Sequence, residues 1–170
     1  MLTFTPQSNL RNAREYFENH LAVGDYYSKE QLVPGEWMGA GAQRLGLVGI
    51  VGKHEFVALC ENLHPVTGDQ LTPLHKTTRK EVDTDGKVKE TANRRLFYDV
   101  TISPPKSVSI AALVKGDERI IESHDRAVRV AMRELECFAA TRVRRGGRND
   151  DRDTGELVTA IFRHDTSRAV

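Results

Sequence analysis

The stretch Leu96–Ser109, read L-F-Y-D-V-T-I-S-P-P-K-S-V-S, constrains this chain more than any other. Its first half alternates, with Leu96, Tyr98, Val100 and Ile102 on one face of a strand and Phe97, Asp99 and Thr101 on the other. An acid in the middle of a strand is costly to bury unless something pairs with it. Pro104 and Pro105 then end the strand, because neither can donate to a ladder. Pro105 suits the first turn of a helix, where a missing N–H does no harm. A carboxylate on a strand is thus followed by a helix start that carries Lys106, Ser107 and open backbone N–H groups, ground suited to a phosphate. Taken alone, the segment is explained more simply by a solvated edge-strand aspartate and an ordinary strand-to-helix turn.

The 170 residues suffice for one domain, or one and a fraction, with a core of its own. Mean hydropathy of −0.48 and the absence of any run near the ~18 apolar residues of a membrane span predict a chain with no membrane insertion. The start, M-L-T-F-T-P-Q-S-N-L-R, lacks the basic opening and apolar core of a signal peptide. Cys60 and Cys137 are isolated, so neither a disulfide framework nor a cysteine metal site is indicated, and a cytoplasmic setting is expected. Proteins that hold nucleic acid mainly through phosphates are usually more basic than a net charge of +1. Any DNA-binding charge here must therefore be arranged locally.

Ser8 or Asn9 can cap a first helix whose apolar stripe is Leu10, Ala13, Phe17 and Leu21, with Tyr16 just off it and Gly24 closing it. Tyr16, Tyr26 and Tyr27 fall within twelve residues, three of the four tyrosines of the chain. Tyrosine packs well at core edges; a phenol can also act as a nucleophile, though with a pKa near 10 it needs a base or a metal nearby. The glycines of P-G-E-W-M-G-A-G-A-Q-R-L-G-L-V-G-I-V (34–51) match neither a dinucleotide fingerprint nor a P-loop. A short helix over 42–45, ended by Gly46 and covered by Trp37, is the better reading.

Lys53 to Asn62 reads as a helix burying Phe56, Val57 and Cys60. The polar stretch that follows holds a short strand over 66–74 and a hairpin or loop over 76–95 that turns at Asp85-Gly86. Beyond the central strand, a helix over 106–114 breaks at Gly116. A longer helix runs from Asp117 to about Arg142 with Ile120, His124, Ala127, Val128, Ala131, Leu135 and Phe138 as its stripe. His124 beside that stripe reads as a packing residue. V-R-R-G-G-R (143–148), interleaved with Asp150, Asp151 and Asp153, reads as a turn, and 156–164 as a strand with His164 at its end.

Taken in order, five signatures resemble the N-terminal relaxase domain of the MobF (TrwC/TraI-type) conjugative relaxases, a branch of the HUH endonucleases. They are Tyr16 with Tyr26-Tyr27, E-W-M-G-A-G-A-Q-R-L-G-L-V-G (36–49), Y-D-V-T-I-S-P-P-K-S-V-S (98–109), H-D-R-A-V (124–128) and F-R-H-D-T-S-R (162–168). The resemblance implies an α+β fold, an antiparallel sheet of palm-like type with flanking helices, as a single partial relaxase domain over 1–170. It implies site- and strand-specific nicking of DNA at a transfer origin. A tyrosine attacks the scissile phosphate, keeps its 5′ side as a phosphotyrosyl intermediate and frees a 3′-hydroxyl. Transesterification of this kind conserves the bond's energy for rejoining.

By the same resemblance Tyr16 matches the first nucleophile and Tyr26 the second. Asp99 matches the acid that assists the tyrosine or orients a metal-bound histidine. His164 matches the first of three metal histidines, and Lys106 and Arg163 are phosphate contacts. A divalent metal, Mg²⁺ or Mn²⁺, is the implied cofactor. The implied partners are single-stranded DNA at a transfer origin and relaxosome accessory proteins. Two departures stand out. The family's first position is often a Tyr-Tyr pair, and here it is Tyr16-Phe17. The family's His-x-His lies beyond the segment matching 162–168, and Val170 is reached before any such motif. The sequence alone therefore predicts a domain incomplete at its C-terminus. The alternative function is a catalytically inactive truncated remnant that at most binds single-stranded DNA or a relaxosome partner.

Overall fold

A computed structural model describes residues 1–11, 13, 35–73, 78–82, 88–92 and 95–164. Among the described residues, eight strands and several helices mix in an α+β arrangement, and the ladders are all two-stranded: β1 (Leu2–Gln7) with β5 (Phe97–Ile102), β2 (Glu36–Met38) with β8 (Thr159–Ile161), β3 (Thr78–Val82) with β4 (Val88–Ala92), and β6 (Ala140–Arg145) with β7 (Arg148–Asp153). The chain divides into two compact units, one built from Met1, 34–51 and 102–170, the other from 2–33 and 52–101.

In the second unit, β5 forms where the alternation and the following prolines place it. Both faces are partly covered, with Val100 and Ile102 half-covered on one and Phe97 and Asp99 on the other. Tyr98 is exposed, with the Arg95 guanidinium 5.6 Å from its ring centre, whereas Phe97 meets Phe56 edge-on at 5.5 Å. Asn9 does cap the first helix: its Oδ1 accepts from the Arg11 N–H at 2.9 Å. The rest of that predicted helix, including Phe17, Leu21 and Gly24, lies outside the described residues.

Helix α2 (Lys53–Cys60) buries Phe56, Ala58 and Cys60, while Val57, expected inside, is only half-covered. Asn62 follows it at φ +67, a left-handed position that asparagine tolerates, and is buried. Its amide Nδ2 donates to the Thr72 carbonyl at 2.6 Å and its Oδ1 accepts from the Thr72 hydroxyl at 2.7 Å, so the intervening loop closes on one side chain. The strand predicted over 66–74 is absent from the described residues; Val66 is exposed in a turn to which His64 Nδ1 lends its lone pair. The predicted hairpin is present as β3 and β4, in register from Thr78↔Ala92 to Val82↔Val88.

In the first unit, β2 bonds to β8 on one side, Glu36↔Ile161 to Met38↔Thr159, and bridges Ile50 on the other. β2 is not evident from propensity, whereas its partner falls within the strand expected over 156–164, which is shorter, Thr159–Ile161. Among the described residues, Trp37, Ala42, Leu47, Val51 and Ala112 are the buried apolar residues of this unit. Helix α1 runs Ala40–Arg44, and α3 (Lys106–Ser109) starts one residue after Pro105, whose carbonyl accepts from Val108 and Ser109. Pro105 is therefore the cap and Lys106 the first helical residue. The helix continues as a π-turn, Ile110–Val114.

The long helix α4 spans Glu118–Cys137, with Asp117 Oδ1 accepting from Arg119 N–H as its cap. It ends five residues before the expected Arg142, because β6 begins at Ala140. Residues 143–148, read as a simple turn, are the end of a hairpin closed by Gly146-Gly147.

The covered face of α4 is also rotated from the predicted stripe. Ile120, Ile121, His124, Asp125, Val128, Arg129, Met132 and Glu136 are half-covered, whereas Ala127, Ala131, Leu135 and Phe138 are exposed. Three polar residues on that face, Asp125, Arg129 and Glu136, have partners. Glu136 Oε1 accepts from the backbone N–H groups of Ala40, at 2.7 Å, and Leu157, at 2.8 Å. Hydrogen bonds to a charged acceptor are roughly twice as strong as neutral ones.

This carboxylate brings the chain at Gly39 against residue 157. A β-carbon on Gly39 would stand 2.3 Å from the Leu157 carbonyl oxygen, at φ +106, a region essentially reserved for glycine. Gly39→Ala is expected to lower stability by about 3 kcal/mol. Gly49→Ala, at φ +78 with nothing within 4 Å, is expected to cost only about 1 kcal/mol. Urea midpoints of the two variants test the difference; equal losses would contradict the close approach.

Candidate functional site

The chemistry-bearing residues named by the sequence are distributed over both units. Tyr16 and Tyr26 lie outside the described residues. Asp99 is in the second unit, half-covered on β5, so its carboxylate keeps part of its hydration and the penalty of full burial does not arise. Lys106, Arg163 and His164 are in the first unit. Lys106 is exposed in the first turn of α3, and His164 is exposed two residues after Phe162 leaves β8.

The first unit gathers three of the five signatures on one helix face. Asp125, from H-D-R-A-V, accepts from Arg163 Nη1 of F-R-H at 3.3 Å. Arg129, one helical turn further on, pairs with Glu36 of E-W-M-G. Because β2 and β8 are hydrogen-bonded neighbours, the two ion pairs join the helix to both strands of one ladder. Spacing i, i+4 puts Asp125 and Arg129 on the same side of α4. Asp125 and Arg129, with Glu36 and Glu136, were missed as named site residues. The i, i+4 acid–base spacing within 124–129 was the available signal.

Electrostatics agree with this geometry. The hydrogen bond from Arg129 holds the Glu36 carboxyl below its ordinary value of 4.5, against the opposing effect of desolvation. The same bond raises the basicity of Arg129, with the Asp125 charge adding to it. A phosphate reaching Arg163 would have to share its guanidinium with Asp125.

A shallow depression of about 420 Å³ lies between α1, the start of β6 and residues 154–158. Arg44 and Glu156 form an ion pair at its wall. None of Asp99, Lys106, Arg163 and His164 lines it. Among the described residues no three of His, Cys, Asp and Glu stand together as a metal-binding group, so the described donors do not by themselves make a metal site. Among them, too, no helix is long and apolar enough to cross a membrane.

The sequence model of the family described as TrwC relaxase matches residues 10–170. The chain is 37% identical over 171 residues to the multifunctional conjugation protein TraI of Escherichia coli, covering 99% of this chain and 8% of that protein. It is 38% identical over 153 residues to TraI of Escherichia coli strain K12, covering 86% of this chain and 8% of that one. The chain thus spans a small part of its curated relatives.

Among solved structures, conjugative relaxase TrwC in its metal-bound complex with oriT DNA matches at TM-score 0.66 and 34% identity, over 98% of this chain and 52% of that one. TrwC complexed with a 27-mer DNA comprising the recognition hairpin and the cleavage site matches at TM-score 0.66 and 32% identity, over 99% and 50%. The chain belongs to the TrwC relaxase family, and its fold is that of the TrwC relaxase.

The Glu36–Arg129 pair carries a pH signature. A depressed folded-state pKa gives stability that is present above the ordinary glutamate value and lost as pH falls through the lower folded one. Arg129 and Glu36 side chains are 40% and 48% exposed, so solvent screening limits the pair to under about 1 kcal/mol. Glu36→Gln is expected to be slightly less stable than the parent at pH 7 and to match it once the pH is well below 4.5. Melting temperatures of both proteins across pH 3 to 7 (roughly the window in which a carboxylate titrates) check this; a constant gap would assign the cost to packing.

Proposed function

We propose that residues 1–170 form a single relaxase domain of conjugative DNA transfer that nicks one DNA strand at a transfer origin by tyrosine transesterification. The observation that carries this reading is the convergence of three signature segments on α4: Glu36 on Arg129 and Arg163 on Asp125. An ordinary α+β domain has no need to tie those segments together by charge. Family membership and the DNA-bound TrwC structures support the same reading.

In this scheme the Tyr16 oxygen attacks the scissile phosphorus and the bond from phosphorus to the 3′-oxygen breaks. The strand's 5′ side stays on the enzyme as a phosphotyrosyl ester, and the 3′-oxygen takes up a proton to leave as a hydroxyl. Tyr26 is the second nucleophile, suited to the reverse step. A phenol near its ordinary pKa is a weak nucleophile at neutral pH, so its proton must be taken as the bond forms. Asp99, partly hydrated and held on a strand, is proposed to assist that step. Lys106 and Arg163 are proposed to hold strand phosphates, Arg163 with its orientation already set by Asp125.

TrwC structures include metal-bound forms. For this chain we propose Mg²⁺ or Mn²⁺ with His164 as one ligand. Cytoplasmic action on single-stranded DNA, together with relaxosome accessory proteins, completes the reading.

The test is a covalent-trapping assay with single-stranded DNA bearing the nick site of the chain's own element and Mg²⁺ or Mn²⁺. A denaturation-resistant protein–DNA adduct is expected, lost in Tyr16→Phe and formed about a hundredfold more slowly in Asp99→Asn. An adduct that survives Tyr16→Phe unchanged would overturn the assignment of the first nucleophile. DNA binding with no adduct under any condition would leave a binding module in place of an enzyme.

A further inference from the structure

The two ion pairs that tie α4 to the ladder form one series of charges. Asp125 and Arg129 stand one helical turn apart, at the spacing where an acid and a base on a helix reach each other. Across from them, Glu36 is in register with Ile161 of β8, two residues before Arg163. The charges alternate along this face as Glu36, Arg129, Asp125 and Arg163, so Asp125 has an arginine on either side. Its charge favours the protonated form of Arg129, where the hydrogen bond to Glu36 is the larger cause.

The two printed contacts of the series differ in closeness. Arg163 Nη1 donates to Asp125 Oδ2 at 3.3 Å, longer than the roughly 2.7–2.9 Å of a good charge-assisted bond. Arg129 and Glu36 are in closer contact. The side chains of Asp125 and Arg163 are 39% and 31% exposed, so the looser pair is within reach of an incoming anion. A carboxylate held loosely between two guanidinium groups moves towards the one with less negative charge already beside it.

We infer that Glu36 and Arg129 set how firmly Arg163 holds a strand phosphate, and that they do so through Asp125. Both are positioning residues, acting on the contact without touching the DNA. With Glu36 in place, Arg129 is neutralised and Asp125 stays on Arg163, where it competes with the phosphate. Without that carboxylate, Arg129 draws Asp125 away and the phosphate meets less competition. Without the Arg129 cation, Asp125 settles on Arg163 and excludes the phosphate more strongly. The inference rests on the relaxase reading, in which Arg163 holds a phosphate, and adds the residues that tune that grip.

The experiment uses the whole 170-residue chain and a fluorescent oligothymidylate, with Kd measured at one fixed salt concentration. Arg163→Gln is expected to weaken binding, which establishes the phosphate contact itself. Glu36→Gln is expected to bind about threefold more tightly than the parent and Arg129→Gln about threefold more weakly, the scale of a partly exposed charge pair. Arg129→Lys keeps the cation and should bind as the parent does. Both glutamine variants break the same ion pair, so a purely structural role would move them in the same direction. A general change of field would also separate them, and the Asp125→Asn background distinguishes this. There the tightening by Glu36→Gln is expected to vanish, whereas a field effect would persist. Persistence in that background, or shifts of one sign in the two glutamine variants, overturns this inference and leaves the relaxase reading standing. Parental binding by Arg163→Gln overturns the phosphate role of Arg163 and this inference with it. A parental chain that does not bind the probe overturns both the inference and the DNA-holding reading.

Discussion

One carboxylate holds the first unit together. Glu136, in the last turn of α4, accepts from two backbone N–H groups that belong to distant segments, Ala40 at the start of α1 and Leu157 just before β8. Both donors are of the kind that helix starts and strand approaches leave open, and a single ionised oxygen satisfies the two. The Gly39 backbone can then come close to the Leu157 carbonyl, where a side chain would not fit. From this point β2 and β8 run as neighbours, and the residues after β8 emerge beside Asp125. An apolar residue in place of Glu136 would leave two donors without that acceptor.

The same logic runs along the rest of the helix face. Asp125 and Arg129 turn towards the ladder because each finds an opposite charge there, and Ala127, Ala131, Leu135 and Phe138 turn outward. A helix usually buries its apolar stripe. Here charge pairing and backbone capping decide the orientation, and three signature segments become one connected structure. That connection lets the resemblance be read in three dimensions: the motifs are far apart in sequence and meet through named atoms.

What was legible in the sequence follows from which forces were local. The strand at Phe97–Ile102, its stop at the prolines, the cap at Asn9, the start of the long helix at Asp117, the end of α1 before Gly46 and the hairpin over 78–92 all depend on neighbouring residues, and each was readable. The rotation of α4 was hidden, because hydropathy gives no credit to an aspartate whose partner is 38 residues away. The contact of Phe97 with Phe56 was hidden for a related reason, since it spans a long sequence gap. β7 was missed because its residues are poor strand formers, and β6 because the predicted helix and turn ran over it. Only the glycine pair between two runs of equal length signalled a hairpin. Of the candidate site, Asp125 and Glu36 were within reach as members of quoted motifs, yet only contact geometry shows what they do.

The near-zero net charge of the chain also acquires a physical meaning. With 25 basic and 24 acidic side chains, a phosphate-binding role looks unsupported by charge alone. In the first unit, however, Arg44, Arg129 and Arg163 are held against Glu156, Glu36 and Asp125. An arginine already oriented by a carboxylate loses less side-chain freedom when a phosphate arrives than one waving in solvent. The incoming phosphate must in turn displace or share that carboxylate, so the net gain per contact is small. For a protein proposed to grip a strand, cut it and let it be rejoined, modest and reversible contacts of this sort suit the task better than a uniformly basic surface. Such a surface would bind any DNA tightly and release it slowly. Specific placement of paired arginines, rather than total charge, is then the property to look for when such a domain is read from its sequence.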